Sequence, residues 1–194
     1  MNWLSALLTV GVLLISSNAY SNDFNTTTSD YSYVDVLDLS AYDGYWYEVY
    51  KDRFDETFQK KGSCVTANYT IWDNGDVGIM NCELLPNGEL SLIGGYAYYE
   101  DDNSGGELSV YLEGTPSVAP YWVVELGPVL DDEYQYSIVS DPQKLSLFVL
   151  ARDVEQFMKQ YENEVLETLS ALGFDKTRNS PLKVNQSYCE YETI

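Results

Sequence analysis

Tyr42-Asp43-Gly44-Tyr45-Trp46-Tyr47-Glu48 is the stretch that decides how this chain folds. A glycine and a tryptophan two residues apart open the first long strand-forming run. Glycine inside a strand lets a neighbouring group approach the backbone closely. The indole beside it is large enough to plug the end of a small barrel. Far downstream, Leu147-Phe148-Val149-Leu150-Ala151-Arg152 supplies a guanidinium. An arginine lying flat over an indole face gains roughly 0.5–2 kcal/mol. Gly44, Trp46 and Arg152 are therefore expected to close one end of a small antiparallel barrel.

The chain between these two stretches fits that expectation. Apolar runs alternate with turn signals: Asp73-Asn74-Gly75-Asp76, Pro86-Asn87-Gly88-Glu89, Asp101 to Gly106, Asp131-Asp132 and Asp141-Pro142. The two Asn-Gly pairs are strong hairpin marks. Their spacing predicts a meander of about eight strands. After Arg152 the period changes. Val154, Phe157, Met158, Tyr161, Val165, Leu166, Leu169 and Leu172 recur every three or four residues, which makes one apolar helix face. Asp153 is the expected N-cap and Gly173 the expected residue just past the C-terminus. The fold expected is all-β: an eight-stranded antiparallel up-and-down barrel with one C-terminal α-helix packed outside. A barrel of that strand number can hold one small ligand.

Composition narrows the function classes. Leu4 to Ile15 is an apolar run that ends in Ser16-Ser17-Asn18-Ala19. It is too short to span a bilayer and has small residues where a signal peptidase cuts. Residues 1–19 are expected to be a signal peptide cleaved after Ala19 or Ser21, residues 22–35 an N-terminal arm, and residues 36–194 a single domain. The expected location is secreted, without a membrane span; no cysteine near the cleavage point offers a bacterial-type lipid anchor. The formal charge of −21 opposes nucleic acid and anionic membranes as partners. With no histidine, His-based acid–base chemistry, His-activated nucleophiles and His-ligated zinc drop out. Three scattered cysteines form no metal motif. In a secreted chain they read as one disulfide and one leftover thiol. No metal and no cofactor are expected.

Three segments in order resemble the signatures of the lipocalin family, and within it the group of apolipoprotein D and the bacterial outer-membrane lipocalins. Gly44-Tyr45-Trp46-Tyr47-Glu48 is similar to the first, Leu130 to Val139 to the second, and Phe148-Val149-Leu150-Ala151-Arg152 to the third. Cys64 to Thr70 and Ala119-Pro120-Tyr121-Trp122 add to the likeness, which covers Val36 to Tyr188. The chain departs from the family where Phe148 replaces a common tryptophan and where Leu126-Gly127-Pro128-Val129 lengthens a turn. The resemblance implies a Cys64–Cys189 disulfide. Cys82 is then left as a free thiol or as an intermolecular bridge, so that a monomer is expected and a dimer through Cys82 is the alternative. It also implies a ligand pocket lined by Tyr69, Asn81, Glu83, Leu112, Tyr121 and Phe148.

Alternation assigns the faces. Val65, Ala67, Tyr69 and Ile71 are expected inside, with Thr66, Asn68, Thr70 and Trp72 outside. Asn81 and Glu83 share a face, with Cys82 opposite. Asn68-Tyr69-Thr70 is then a glycosylation sequon on the outer face, and Asn25 and Asn185 head two more. The resulting expectation is a carrier or scavenger of a small hydrophobic ligand: a sterol, retinoid, pigment or fatty acid. Glu83 tilts the choice to neutral ligands, because a carboxylate beside it would have to take up a proton. No catalytic residue is assigned. The rival readings are a lipid-modifying enzyme, which needs a nucleophile inside the barrel, and an extracellular interaction protein whose barrel is filled by its own side chains.

Overall fold

A computed structural model describes residues 31–53, 62–101 and 104–191. Within them lie β1 (Gly44–Lys51), β2 (Ser63–Ile71), β3 (Val77–Leu84), β4 (Leu90–Tyr98), β5 (Glu107–Leu112), β6 (Ala119–Leu126), β7 (Val129–Leu130), β8 (Glu133–Tyr134), β9 (Tyr136–Ser140), β10 (Leu147–Ala151) and β11 (Leu182–Lys183). Three helical segments join them: α1 (Leu39–Tyr42), α2 (Val154–Gln160) and α3 (Glu162–Ala171). β1 to β6, β9 and β10 run antiparallel in sequence order, and β10 pairs back with β1. The sheet is therefore a closed eight-stranded barrel, as expected. β7 and β8 form a separate hairpin in the lengthened turn. Its two turn residues, Asp131 and Asp132, both have positive φ, the geometry of a type I′ turn. Gly75 and Gly88 take φ of +90° and +84° in the two Asn-Gly turns.

Alternation builds two cores. Trp46, Ala67, Tyr69, Ile79, Val110, Val123, Val139 and Leu150 point into the barrel. Tyr136, Ile138, Leu147, Val149 and Ala151 point out and meet Phe157, Val165, Leu169 and Phe174. β9 and β10 are buried on both faces because helices cover their outer side. In β1 the pairing with β10 shifts register between Glu48 and Tyr50, so Val49 and Tyr50 both join the outer core.

Several expectations need correction. The helix after Arg152 is two α segments meeting at Tyr161, although the backbone bonds Tyr161 N–H to Phe157 O and Val165 N–H to Tyr161 O continue across the junction. Its ends are as expected: Asp153 accepts from Gln156 N–H at 2.7 Å, and Gly173 has φ +89°. Ile71 is exposed, not interior, because it ends β2 beside the turn. Thr66 is buried at 2% exposure although its face is the outer one. The C-terminal stretch covers it: Gln186 donates to Glu48 O and Val65 O, and Cys64 N–H donates to Asn185 O. That covering was invisible to alternation, which counts faces and not later segments. The described end of the arm is fixed to the barrel. Val34 N–H donates to Val123 O, and the Tyr31 ring stacks on Trp122. The apolar leader and Asn25 lie outside the described residues.

Candidate functional site

The closed end is assembled around Arg152. Its Cζ lies 3.9 Å from the centre of the Trp46 ring. Nη1 donates to Tyr45 O at 2.9 Å, Nη2 to Ala41 O at 3.0 Å and to Asp43 O at 2.6 Å, and Nε to Tyr134 O at 3.3 Å. One guanidinium thus ties α1, β1 and β8 together. Gly44 has φ +91°, and a Cβ there would sit 3.3 Å from Nη1. Its place therefore requires glycine both for conformation and for the approach of the arginine. Trp46 is fully buried, and its indole N–H donates to Tyr42 O at 2.9 Å.

Above this floor the barrel interior holds the six residues that the resemblance singled out. Tyr69, Leu112, Tyr121 and Phe148 pack in the interior cluster. Asn81 lies opposite Ala67, inside, and Glu83 follows two residues on the same face. Asn81 Oδ1 and Glu83 Oε2 are buried without a hydrogen-bond partner. The Glu83 carboxyl is aimed at Gly62, where any Cβ would collide with it. Cys82 pairs with Leu92 and Thr66 on the outer face and forms no disulfide, while Cys64 and Cys189 are bonded to each other. Asn68 is half-buried and Asn185 exposed.

The structure adds three residues, Tyr42, Ser137 and Glu48, that sequence reasoning did not assign to the interior site. Tyr42, Tyr121, Tyr69 and Ser137 form a chain of hydroxyls: Tyr69 to Tyr121 at 3.0 Å, Tyr121 to Tyr42 at 2.9 Å, and Tyr42 to Ser137 at 3.0 Å. Burial pushes the Tyr42 hydroxyl up to about 12 and raises those of Tyr69 and Tyr121 in the same direction. Glu48 is only 5% exposed and its charge bears on the Tyr69 hydroxyl. A signal for Glu48 was present: it stands two residues after Trp46 and so shares its inward face. Tyr42 and Ser137 carried none, because a tyrosine on a one-turn helix and a serine in a strand are common in any barrel. Below the hydroxyls an apolar void of about 10 Å³ remains, lined among others by Leu37, Leu39, Val77 and Leu108. That is about the room one water takes, so this end of the barrel is filled.

Chemically, the described interior presents hydroxyls, an amide and carboxylates, groups that can bind and orient a small molecule. Among the described residues no group of acidic or sulfur ligands could hold a metal ion, and no helix is long and apolar enough to cross a membrane.

Comparison with known proteins agrees with the architecture. The family model described as a lipocalin-like domain matches residues 37–183. Apolipoprotein D of Rattus norvegicus is 33% identical over 88 residues, 45% of each chain, so the match spans less than half of that relative. The outer membrane lipoprotein Blc of Citrobacter freundii is 32% identical over 145 residues, 73% of this chain and 76% of that one. Among solved structures, the tryptamine complex of the amine binding protein of Rhodnius prolixus superposes with a TM-score of 0.54 at 15% identity, covering 83% of this chain and 88% of that one.

Proposed function

The chain belongs to the lipocalin family, and we propose that it is a secreted carrier or scavenger holding one small hydrophobic molecule inside the barrel. The observation that carries this reading is the pair of buried, unpartnered oxygens, Asn81 Oδ1 and Glu83 Oε2, on an interior wall otherwise made of side chains such as Leu112 and Phe148. Buried polar groups are almost always hydrogen-bonded. An apolar cup with a few polar atoms left over for an occupant is the usual form of a small-molecule site. The Rhodnius prolixus neighbour, named for its tryptamine complex, supports the barrel as a holder of a small organic molecule.

Secretion is supported by the Cys64–Cys189 bond, which suits an oxidising compartment. Asn68 and Asn185 are the sequons available for glycans among the described residues. The chain acts as a monomer, with Cys82 outside the barrel and away from the ligand.

The test is a titration of purified protein with sterols, retinoids, tetrapyrroles and fatty acids, read by quenching of tryptophan and tyrosine emission. Saturable binding of a neutral member is expected. Phe148→Ala should weaken it by about 1–3 kcal/mol through lost apolar burial. Glu83→Gln should raise fatty-acid affinity relative to sterols, because a buried repulsive charge is gone. A folded protein that binds none of these compounds would favour the filled-barrel reading.

A further inference from the structure

The outer face of β2 to β5 is a surface that ligand carriage leaves unused. Among the described residues, helices cover the barrel on its other side, against β1, β9 and β10. Register lines up two outward rows across the strands: Asn68–Met80–Gly94 and Thr70–Gly78–Tyr96. Tyr111 of β5 extends the second row. The face is apolar and open. Trp72 is 44% exposed, and Leu92, one row further, is 53% exposed. Exposed apolar surface of this kind marks a place of contact.

Two glycines shape it. Gly78 carries the Trp72 indole, whose Nε1 would stand 2.6 Å from any Cβ there. The indole therefore lies down on β3. It meets Tyr96 at 6.1 Å between ring centres, and Tyr96 meets Tyr111 at 5.5 Å. Gly94 leaves β4 bare between Tyr96 and Leu92. The Glu113 carboxylate stands beside that gap, with Oε1 3.5 Å from where a Cβ would be. The first row is thus a strip floored by Met80 and Gly94. Aromatic rings run along one side of it, Glu113 closes its far end, and Asn68 begins it.

Asn68 heads the sequon Asn68-Tyr69-Thr70, so a glycan attached there starts on the strip itself. Met80 is one strand away and Gly94 two, at about 4.8 Å per strand. Each sugar has an apolar C–H face and a rim of hydroxyls. The C–H face suits the rings of Trp72 and Tyr96, and the hydroxyls find an acceptor in Glu113. Charge points to the same occupant. The two rows with Tyr111 and Glu113 hold one acid and no base, so they favour a neutral partner, whereas a second copy would bring its own charge of −21.

We propose that an N-linked glycan on Asn68 packs along this strip against Trp72 and Tyr96 and covers the exposed apolar face. The proposal rests on the secreted reading above. It is tested with the full chain secreted from a glycosylating eukaryotic cell line, beside the same chain made without glycan in a bacterial periplasm. Peptide mapping should find Asn68 occupied. Nuclear Overhauser contacts should join the first two sugars to the Trp72 indole. The glycosylated chain should unfold about 2–4 °C higher than the bare one, the shift of a modest contact in a domain of this size. In Trp72→Ala that gain should vanish. A glycan found at another sequon with Asn68 bare overturns the proposal and leaves secretion intact. A chain retained in the cell with every sequon bare overturns both. A glycan on Asn68 without sugar–indole contacts, or a gain that persists in Trp72→Ala, overturns the packing. Dimers that form through Trp72 equally with and without the glycan overturn it in favour of a second copy. Should Trp72→Ala not fold, the sugar–indole contacts of the wild type decide.

Discussion

Arg152 holds the closed end mainly through backbone carbonyls. Its ion pair to Glu133 is loose at 3.9 Å, whereas four carbonyls accept from its three nitrogens. A lysine ammonium is a point donor and cannot span that fork. Arg152→Lys should therefore cost about 1–3 kcal/mol, the penalty of leaving buried acceptors unmet, seen as a lower denaturant midpoint. Trp46→Ala should cost more, roughly 3–5 kcal/mol, as for other large core aromatics; an unchanged midpoint would show that the indole is not a buried plug. The floor tyrosines give a pH signature. Burial raises Tyr42 to about 12 from its ordinary 10, and it moves Tyr69 and Tyr121 the same way. Between pH 10 and 12 the unfolded chain has released these protons and the folded chain retains them. The unfolded state then binds fewer protons, and stability falls as pH rises. Alkaline titration followed by tyrosinate absorbance should show these groups ionising only with loss of the fold, while exposed tyrosines titrate earlier and reversibly.

At the level of elements, the helical stretch after Arg152 is positioned by its start. Asp153 Oδ1 accepts from Gln156 N–H at 2.7 Å, and Phe157, one turn later, is 1% exposed against the barrel. Asp153→Ala should cost about 1 kcal/mol, the usual value of an N-cap, measured by thermal unfolding; Asp153→Asn should recover most of it. Periodicity revealed this helix and its two ends, because both are local properties. It did not show the junction at Tyr161, where the ring meets Tyr136 of the barrel at 5.4 Å. Strand pairing was legible to a similar depth. The Asn-Gly turns set the register of β2, β3 and β4, whereas the irregular pairings at Glu48 and Ser63 had no marker in the chain.

Across the whole molecule, the Cys64–Cys189 bond joins the start of β2 to the C-terminal stretch over a separation of 125 residues. The same stretch covers Thr66 and hydrogen-bonds to β1 and β2 through Gln186. Cys64→Ala combined with Cys189→Ala should cost about 4–5 kcal/mol in the chain-entropy account of a loop this long. The cost should appear as a lower thermal midpoint, and hydrogen exchange should quicken first at the backbone amide of position 64, which donates to Asn185 O. A midpoint unchanged by reduction would mean that the tail holds by its hydrogen bonds alone.

Barrel closure, the outer helix and the inward face of Tyr69 were determined by the sequence alone, since a period of two, a period near 3.6 and a glycine turn each act over a few residues. The Gly44–Trp46–Arg152 floor also belonged there, because large aromatic and cationic side chains at opposite ends of a meander have few places to go. The hydroxyl chain from Tyr69 to Ser137 and the shielding of Thr66 were decided only by the tertiary structure. Each depends on side chains from strands far apart in sequence converging inside or upon one closed sheet, and no local pattern records which of them will meet.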